Sequence, residues 1–126
     1  MLNRIITAEK AVDLIRDGDT VIIGGSAGMG VADTVLVALE KRFLANKTPN
    51  ALTIIHTTGI GAVKSEGLNR LAHQGLIKRV IGGNFGLQLA FMKNLIVSNE
   101  IEAYNFPQGV ICQLYRAMAA KQPGVV

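Results

Sequence analysis

Apolar and polar positions along this chain follow two alternating rhythms. Short β-branched runs are each followed by a stretch in which apolar residues recur every three or four positions. Thr7-Ala8-Glu9-Lys10 opens a helical stretch with Ala11, Leu14 and Ile15 on one face and Thr7 as its N-cap. Asp17-Gly18-Asp19 closes it as a turn. Thr20-Val21-Ile22-Ile23 is then a near-continuous apolar strand, of the kind buried on both faces of a parallel sheet. A glycine cluster occupies 24–30, and helical spacing resumes over 31–43 through Val35, Leu36, Leu39 and Phe43. The unit repeats. Leu52-Thr53-Ile54-Ile55 predicts a second strand, with a helical stretch at 67–73. Val80-Ile81 predicts a third, closed by Gly82-Gly83-Asn84-Phe85-Gly86, with a helix over 87–97. Residues 101–104 predict a fourth, and a last helix begins at Pro107-Gln108-Gly109 and runs to about Ala120.

This βαβα order predicts an α/β, Rossmann-like domain: a parallel sheet with helices on its faces. Ligands in such folds sit beyond the carboxyl ends of the strands, where the glycine turns converge. The 126 residues suffice for one domain with a core and not for two. Gln122-Pro123-Gly124-Val125-Val126 has the pattern of an entrance to another strand, so residues 1–126 read as an incomplete domain belonging to a longer protein. Apolar residues at 49% and charged residues at 17% exclude a disordered tail, and no apolar run reaches the 18 or so residues of a membrane span. The 13 Lys and Arg against 9 Asp and Glu are scattered in runs no longer than two, which is not the basic stripe of a nucleic-acid binder. A single cysteine, Cys112, and an amino terminus without a signal-peptide core make the cytoplasm the default compartment.

The first loop, Gly24-Gly25-Ser26-Ala27-Gly28-Met29-Gly30, lets backbone N–H groups approach an anion or a carbonyl oxygen. A Walker A loop would need Lys and then Ser or Thr after its last glycine, yet Val31 and Ala32 follow Gly30. A dinucleotide fingerprint would need glycine at Ile23, and Asp33 would repel a phosphate. Gly24 to Gly28 matches the G-x-S-x-G elbow only formally, because no acid and histidine follow in suitable loops. The plainer reading is a tight turn packed against a neighbour. Pro107-Gln108-Gly109 offers an amide at a sharp joint, and Thr57 and Thr58 offer hydroxyls; each is equally a helix or turn cap. His56 ends a strand and His73 reads as a surface residue, with no third ligand spaced for zinc. Cys112, among Val110, Ile111 and Leu114, reads as a buried structural thiol. None of Glu9, Glu40, Glu66, Glu100 and Glu102 falls in a convergent glycine loop, so no catalytic set emerges.

Taken in order, the segments Asp19-Thr20-Val21-Ile22-Ile23-Gly24-Gly25, Gly28-Met29-Gly30, Gly75-Leu76-Ile77-Lys78-Arg79 and Tyr104-Asn105-Phe106-Pro107-Gln108-Gly109 carry a likeness over essentially the whole chain. They resemble the amino-terminal domain of family I CoA-transferases, in the acetate/propionate (short-chain acyl) branch. The resemblance implies ping-pong transfer of CoA between carboxylic acids, with coenzyme A as substrate and no resident cofactor. A glutamate attacks the thioester, giving an acyl-glutamyl anhydride and then a glutamyl-CoA thioester. That glutamate belongs to a Glu-x-Gly motif in the carboxy-terminal half, and this chain has none: Glu66 is followed by Gly67 and Leu68. The resemblance therefore implies a missing half and no activity from these residues alone. It places Gln108, with Gly109, on the substrate side of the pocket. Thr57 and Thr58 fall where the ketoacid branch carries an Asn pair. Gly24, Gly25, Ser26, Gly28 and Gly30 shape the interdomain cleft.

Two other readings compete. One is a non-enzymatic sugar-phosphate-sensing regulatory domain of similar fold; it would gather Lys and Arg in its ligand loops, and positions 20–40 hold none. The other is a small assembly domain. A truncated sheet leaves apolar surface uncovered, so a homo-oligomer is expected.

Overall fold

The structure, a computed structural model, describes residues 5–61 and 65–125. Four strands, β1 (Thr20–Ile22), β2 (Leu52–His56), β3 (Ile77–Gly82) and β4 (Glu102–Asn105), pair in parallel in that order across one sheet. Between them run α1 (Ala8–Val12, before the sheet), α2 (Asp33–Asn46), a 3-10 turn (Gly67–Leu71) and α3 (Leu89–Phe91), which continues as a π-helical segment (Met92–Val97). α4 (Gln108–Ala119) follows β4. The α/β class and the parallel sheet are those the pattern predicts.

The crossovers step in one direction across the sheet, and α2, the 3-10 turn and α3 pack in one core against its Ile54 and Val80 face. The row Val21, Ile54, Val80 and Ala103 faces them. Ile54 and Val80 are sealed in a core with Leu36, Leu39 and Phe43 of α2, Leu68 and Leu71 of the 3-10 turn, and Phe91 and Leu95. The next row, Ile22, Ile55, Ile81 and Tyr104, points to the opposite face because side chains alternate along a strand. On that face Ile55 is buried, whereas Ile22 is 50% and Tyr104 45% exposed.

Local physics explains where the elements differ from expectation. Thr7 caps α1 as predicted, its Oγ1 accepting from the Lys10 N–H at 3.3 Å, but α1 ends at Val12, and Leu14 lies exposed beyond it. The first strand is not buried on both faces: β1 stops at Ile22 on a sheet edge, with Thr20 and Ile22 exposed. Full burial belongs to β2, where all five residues are inside. α2 starts at Asp33, two residues late, because the Asp33 N–H turns back to the Val31 carbonyl; it runs on to Asn46, where Lys47 closes it with left-handed backbone. The helix expected at 67–73 is a single 3-10 turn, whose three-residue period buries Leu68 and Leu71 together. β3 is longer than Val80-Ile81 because Arg79 pairs across the strands with Glu102 at 2.6 Å. Cys112 is exposed and not buried: the inward positions of α4 are Ile111 and Ala117. Val126, at the end of the expected strand entrance, lies outside the described residues.

Candidate functional site

All four strands end on the same side, and the four loops that leave them are joined by specific hydrogen bonds. In the first loop Ser26 and Met29 exchange backbone bonds at 3.0 and 2.9 Å, making a tight turn of Ala27 and Gly28. Ala27, with positive φ, then bridges to the β2 loop, donating to the Gly59 carbonyl and accepting from the Gly61 N–H, both at 2.8 Å. The Thr58 hydroxyl donates to the Gly25 carbonyl at 2.9 Å. Gly25 has φ +121° and sits against Val31, so a side chain there would be both strained and crowded. Gly24, by contrast, has open space where a Cβ would stand. The loop is therefore held by its neighbour as a built wall, and Thr58 is spent on that structure.

On the other side, the β3 loop joins the start of α4. The Phe106 N–H and the Asn105 side-chain amide both donate to the Gly82 carbonyl, at 3.1 and 2.8 Å. Gly83 lies beside the Gln108 backbone, and Gln108 and Gly109 are exposed in the first turn of α4. Two buried side chains link the halves. Gln88 accepts from the Ile60 N–H with its oxygen and donates to the Asn84 and Phe85 carbonyls, at 2.9–3.0 Å. His56 is wholly buried, its Nδ1 lies 2.6 Å from the Thr58 carbonyl, and its own carbonyl accepts from the Gly83 N–H. Burial pushes the imidazole below its ordinary value, against the smaller opposite pull of the Thr58 carbonyl.

The structure thus brings Gly25 together with Thr58, and Gly83 together with the backbone of Thr57 and Gln108. It does not bring Gln108 to the first loop: β1 and β4 are three strands apart, roughly 14 Å by strand spacing. The loops at the carboxyl ends of the strands run in a row, with the glycine loop beside β1 and Gln108 beyond β4.

Charges near the first loop behave differently from expectation. Asp33 is not a free anion facing a ligand. Arg70 grips it through both carboxylate oxygens at 2.7–3.0 Å, and the Gly67 N–H donates to it at 3.0 Å. The Arg70 bond, with the Gly67 bond in support, holds its carboxyl below the usual range. Glu66 does lie against a glycine loop: it lines a small cavity of about 150 Å³ with Ala27, Gly28, Val31, Asp33 and Gly67. His73 is not a free surface residue, because its Nε2 pairs with Glu40 at 2.8 Å and its ring stacks on Phe43. Among the described residues no three His, Cys, Asp or Glu side chains gather as a metal site, and no described helix is long and apolar enough to cross a membrane.

The loop geometry can be set beside known proteins. The family model for coenzyme A transferase matches residues 5–126. The chain belongs to the coenzyme A transferase family. Among its relatives in this family, the acetate CoA-transferase YdiF of Escherichia coli O157:H7 is 38% identical over 123 residues, 97% of this chain and 23% of that protein. The caffeate CoA-transferase of Acetobacterium woodii is 35% identical over 98% of this chain and 23% of its own length. The crystal structure of E. coli O157:H7 YdiF, an acyl-CoA transferase in a thioester complex with CoA, superposes with a TM-score of 0.90 over 95% of this chain and 25% of the YdiF chain. This coenzyme A transferase chain spans about a quarter of the length of these relatives. The family placement does not favour a sugar-phosphate sensor.

The sequence gives no sign of Gln88 or Asn69, while His56 stands out only as a strand-terminal histidine next to two threonines and Asn105 only as part of the segment before Pro107.

Proposed function

We propose that this chain is the amino-terminal part of an acyl-CoA:carboxylate CoA-transferase that moves CoA between short-chain carboxylic acids. The observation that supports this most is the 38% identity to an acetate CoA-transferase, sustained over 97% of the chain, joined to a TM-score of 0.90 against its CoA-bearing structure. In this reading coenzyme A is a substrate and not a resident cofactor, and the nucleophilic glutamate is supplied by polypeptide outside this sequence. The strand-end loops form one wall of the crevice. Gln108, with Gly109 leaving room beside it, presents its exposed amide to the substrate carboxylate or acyl oxygen. Thr57 lies on the same wall, with Thr58 bracing it, and Gly24, Gly25, Ser26, Gly28 and Gly30 line the far end. The whole protein works as a soluble cytoplasmic homo-oligomer.

The test uses the full-length protein, acetyl-CoA and propionate, with propionyl-CoA measured as product. Transfer is expected, with parallel double-reciprocal plots and a glutamyl-CoA adduct visible by mass spectrometry; hydrolysis alone, or no reaction, would overturn the reading. Gln108→Ala is expected to lower kcat/KM by roughly tenfold or more while leaving the melting temperature in place, since one substrate hydrogen bond is lost. Unchanged turnover would remove Gln108 from the site.

A further inference from the structure

His56 stands at the centre of the wall, at the end of β2 opposite Gly82 of β3, on the helix-facing side of the sheet. Its side chain is fully buried, where an imidazole needs a reason to be. One nitrogen has one: Nδ1 lies 2.6 Å from the Thr58 carbonyl. A carbonyl only accepts, so Nδ1 carries the proton and Nε2 is left with its lone pair. That Nε2 is buried and has no partner among the described residues. The ring meets Phe85 edge to face at 5.4 Å and lies so close over Gly82 that any Cβ there would strike it. Thr58, whose carbonyl the ring holds, passes the restraint on through its hydroxyl to Gly25, and Gly59 and Gly61 of the same loop clasp Ala27.

We propose that His56, as the neutral Nδ1–H tautomer, is a positioning residue that fixes the β2 loop and, through Thr58, the glycine loop of the crevice. It touches no reacting atom. Its consequence for catalysis rests on the transferase reading above, whereas its hold on the two loops does not. An apolar residue of the same volume would fill the space and leave the Thr58 carbonyl unbonded. Asparagine, whose side-chain nitrogen is as far from its Cγ as Nδ1 is, can keep the donor. Protonating the ring would put a cation where Thr58, Gly82 and Phe85 offer no titratable or charged group; none from any other described element contributes to its shift. The folded protein therefore favours the neutral form: the linked folding stability falls as pH drops below the ordinary imidazole range, while the Nδ1–H donor to Thr58 is kept in either form.

The experiment compares His56→Leu, His56→Asn, Thr58→Val and Thr58→Ser in the full-length protein, by hydrogen exchange of peptides covering 24–30 and 57–61. His56→Leu is expected to accelerate exchange in both peptides by about tenfold, the loss of one buried hydrogen bond, with His56→Asn staying within about threefold of wild type. Thr58→Val is expected to loosen 24–30, and Thr58→Ser to restore it. These two carry the test if His56→Leu does not fold. In the transfer assay His56→Leu is expected to lower kcat and His56→Asn to recover it. Equal behaviour of the Leu and Asn variants, or loops unchanged in Thr58→Val, would overturn the proposal. A full-length protein that transfers no CoA would sink the functional reading, and the exchange data would still decide the role of His56.

Discussion

At Gly83 a missing methyl group decides the local structure. The space a Cβ would need is taken by the Thr57 carbonyl, and backbone cannot swing aside as a long side chain can. Gly83→Ala is expected to cost about 2–3 kcal/mol, measured by denaturant unfolding, because the β2 and β3 loops must part to admit it. Gly24→Ala, with open space at that position, is the control and is expected to change stability by less than about 0.5 kcal/mol for steric reasons. The glycine turns themselves were legible in the sequence; which glycines are sterically required was not. That property comes from a residue of another loop, 26 positions away in the case of Thr57 and Gly83. Gln88 was invisible for a similar reason. An amide among exposed leucines reads as surface until its three backbone partners, from two loops, are seen to enclose it.

Between elements, the Asp33–Arg70 pair fastens the start of α2 to the 3-10 turn, and Glu40, two turns further along the helix, pairs with His73 just past that turn. Both Arg70 and Asp33 retain some exposure, so a double-mutant cycle with Asp33→Asn and Arg70→Met is expected to show a coupling of only about 1 kcal/mol. The carboxyl of Asp33 is held below its ordinary value of 3.8, so this coupling is complete above that value. It is expected to fade as pH falls below that value and through the lowered value of the folded state. Helices and strands followed the apolar rhythm well enough to place every element in order. Their ends did not, because polar partners set them: Glu102 draws Arg79 into β3, and the Asn69 side chain accepts the Ala90 and Phe91 N–H groups at the start of α3. Those pairs lie 21 to 23 residues apart, beyond the reach of any local period.

Across the whole molecule, one face of the sheet is packed and the other is only partly covered. Ile22 and Tyr104 at the two edges, with Phe106, Val110 and Met118 near and along α4, leave apolar surface in contact with water. The chain expressed by itself is expected to self-associate, giving a light-scattering mass above 13.4 kDa, and the double substitution Ile22→Lys, Tyr104→Lys is expected to reduce that association. A strictly monomeric wild-type profile would count against it. The sequence announced an open α/β wall; it did not tell which strands would be edges, since Thr20-Val21-Ile22 is as apolar in composition as a central strand. Strand order has one more consequence. Among the described strands, every pairing joins a strand to the one made just before it. As the nascent chain leaves the ribosome, each arriving strand meets a finished template, and the wall of loops is assembled from the glycine end towards Gln108.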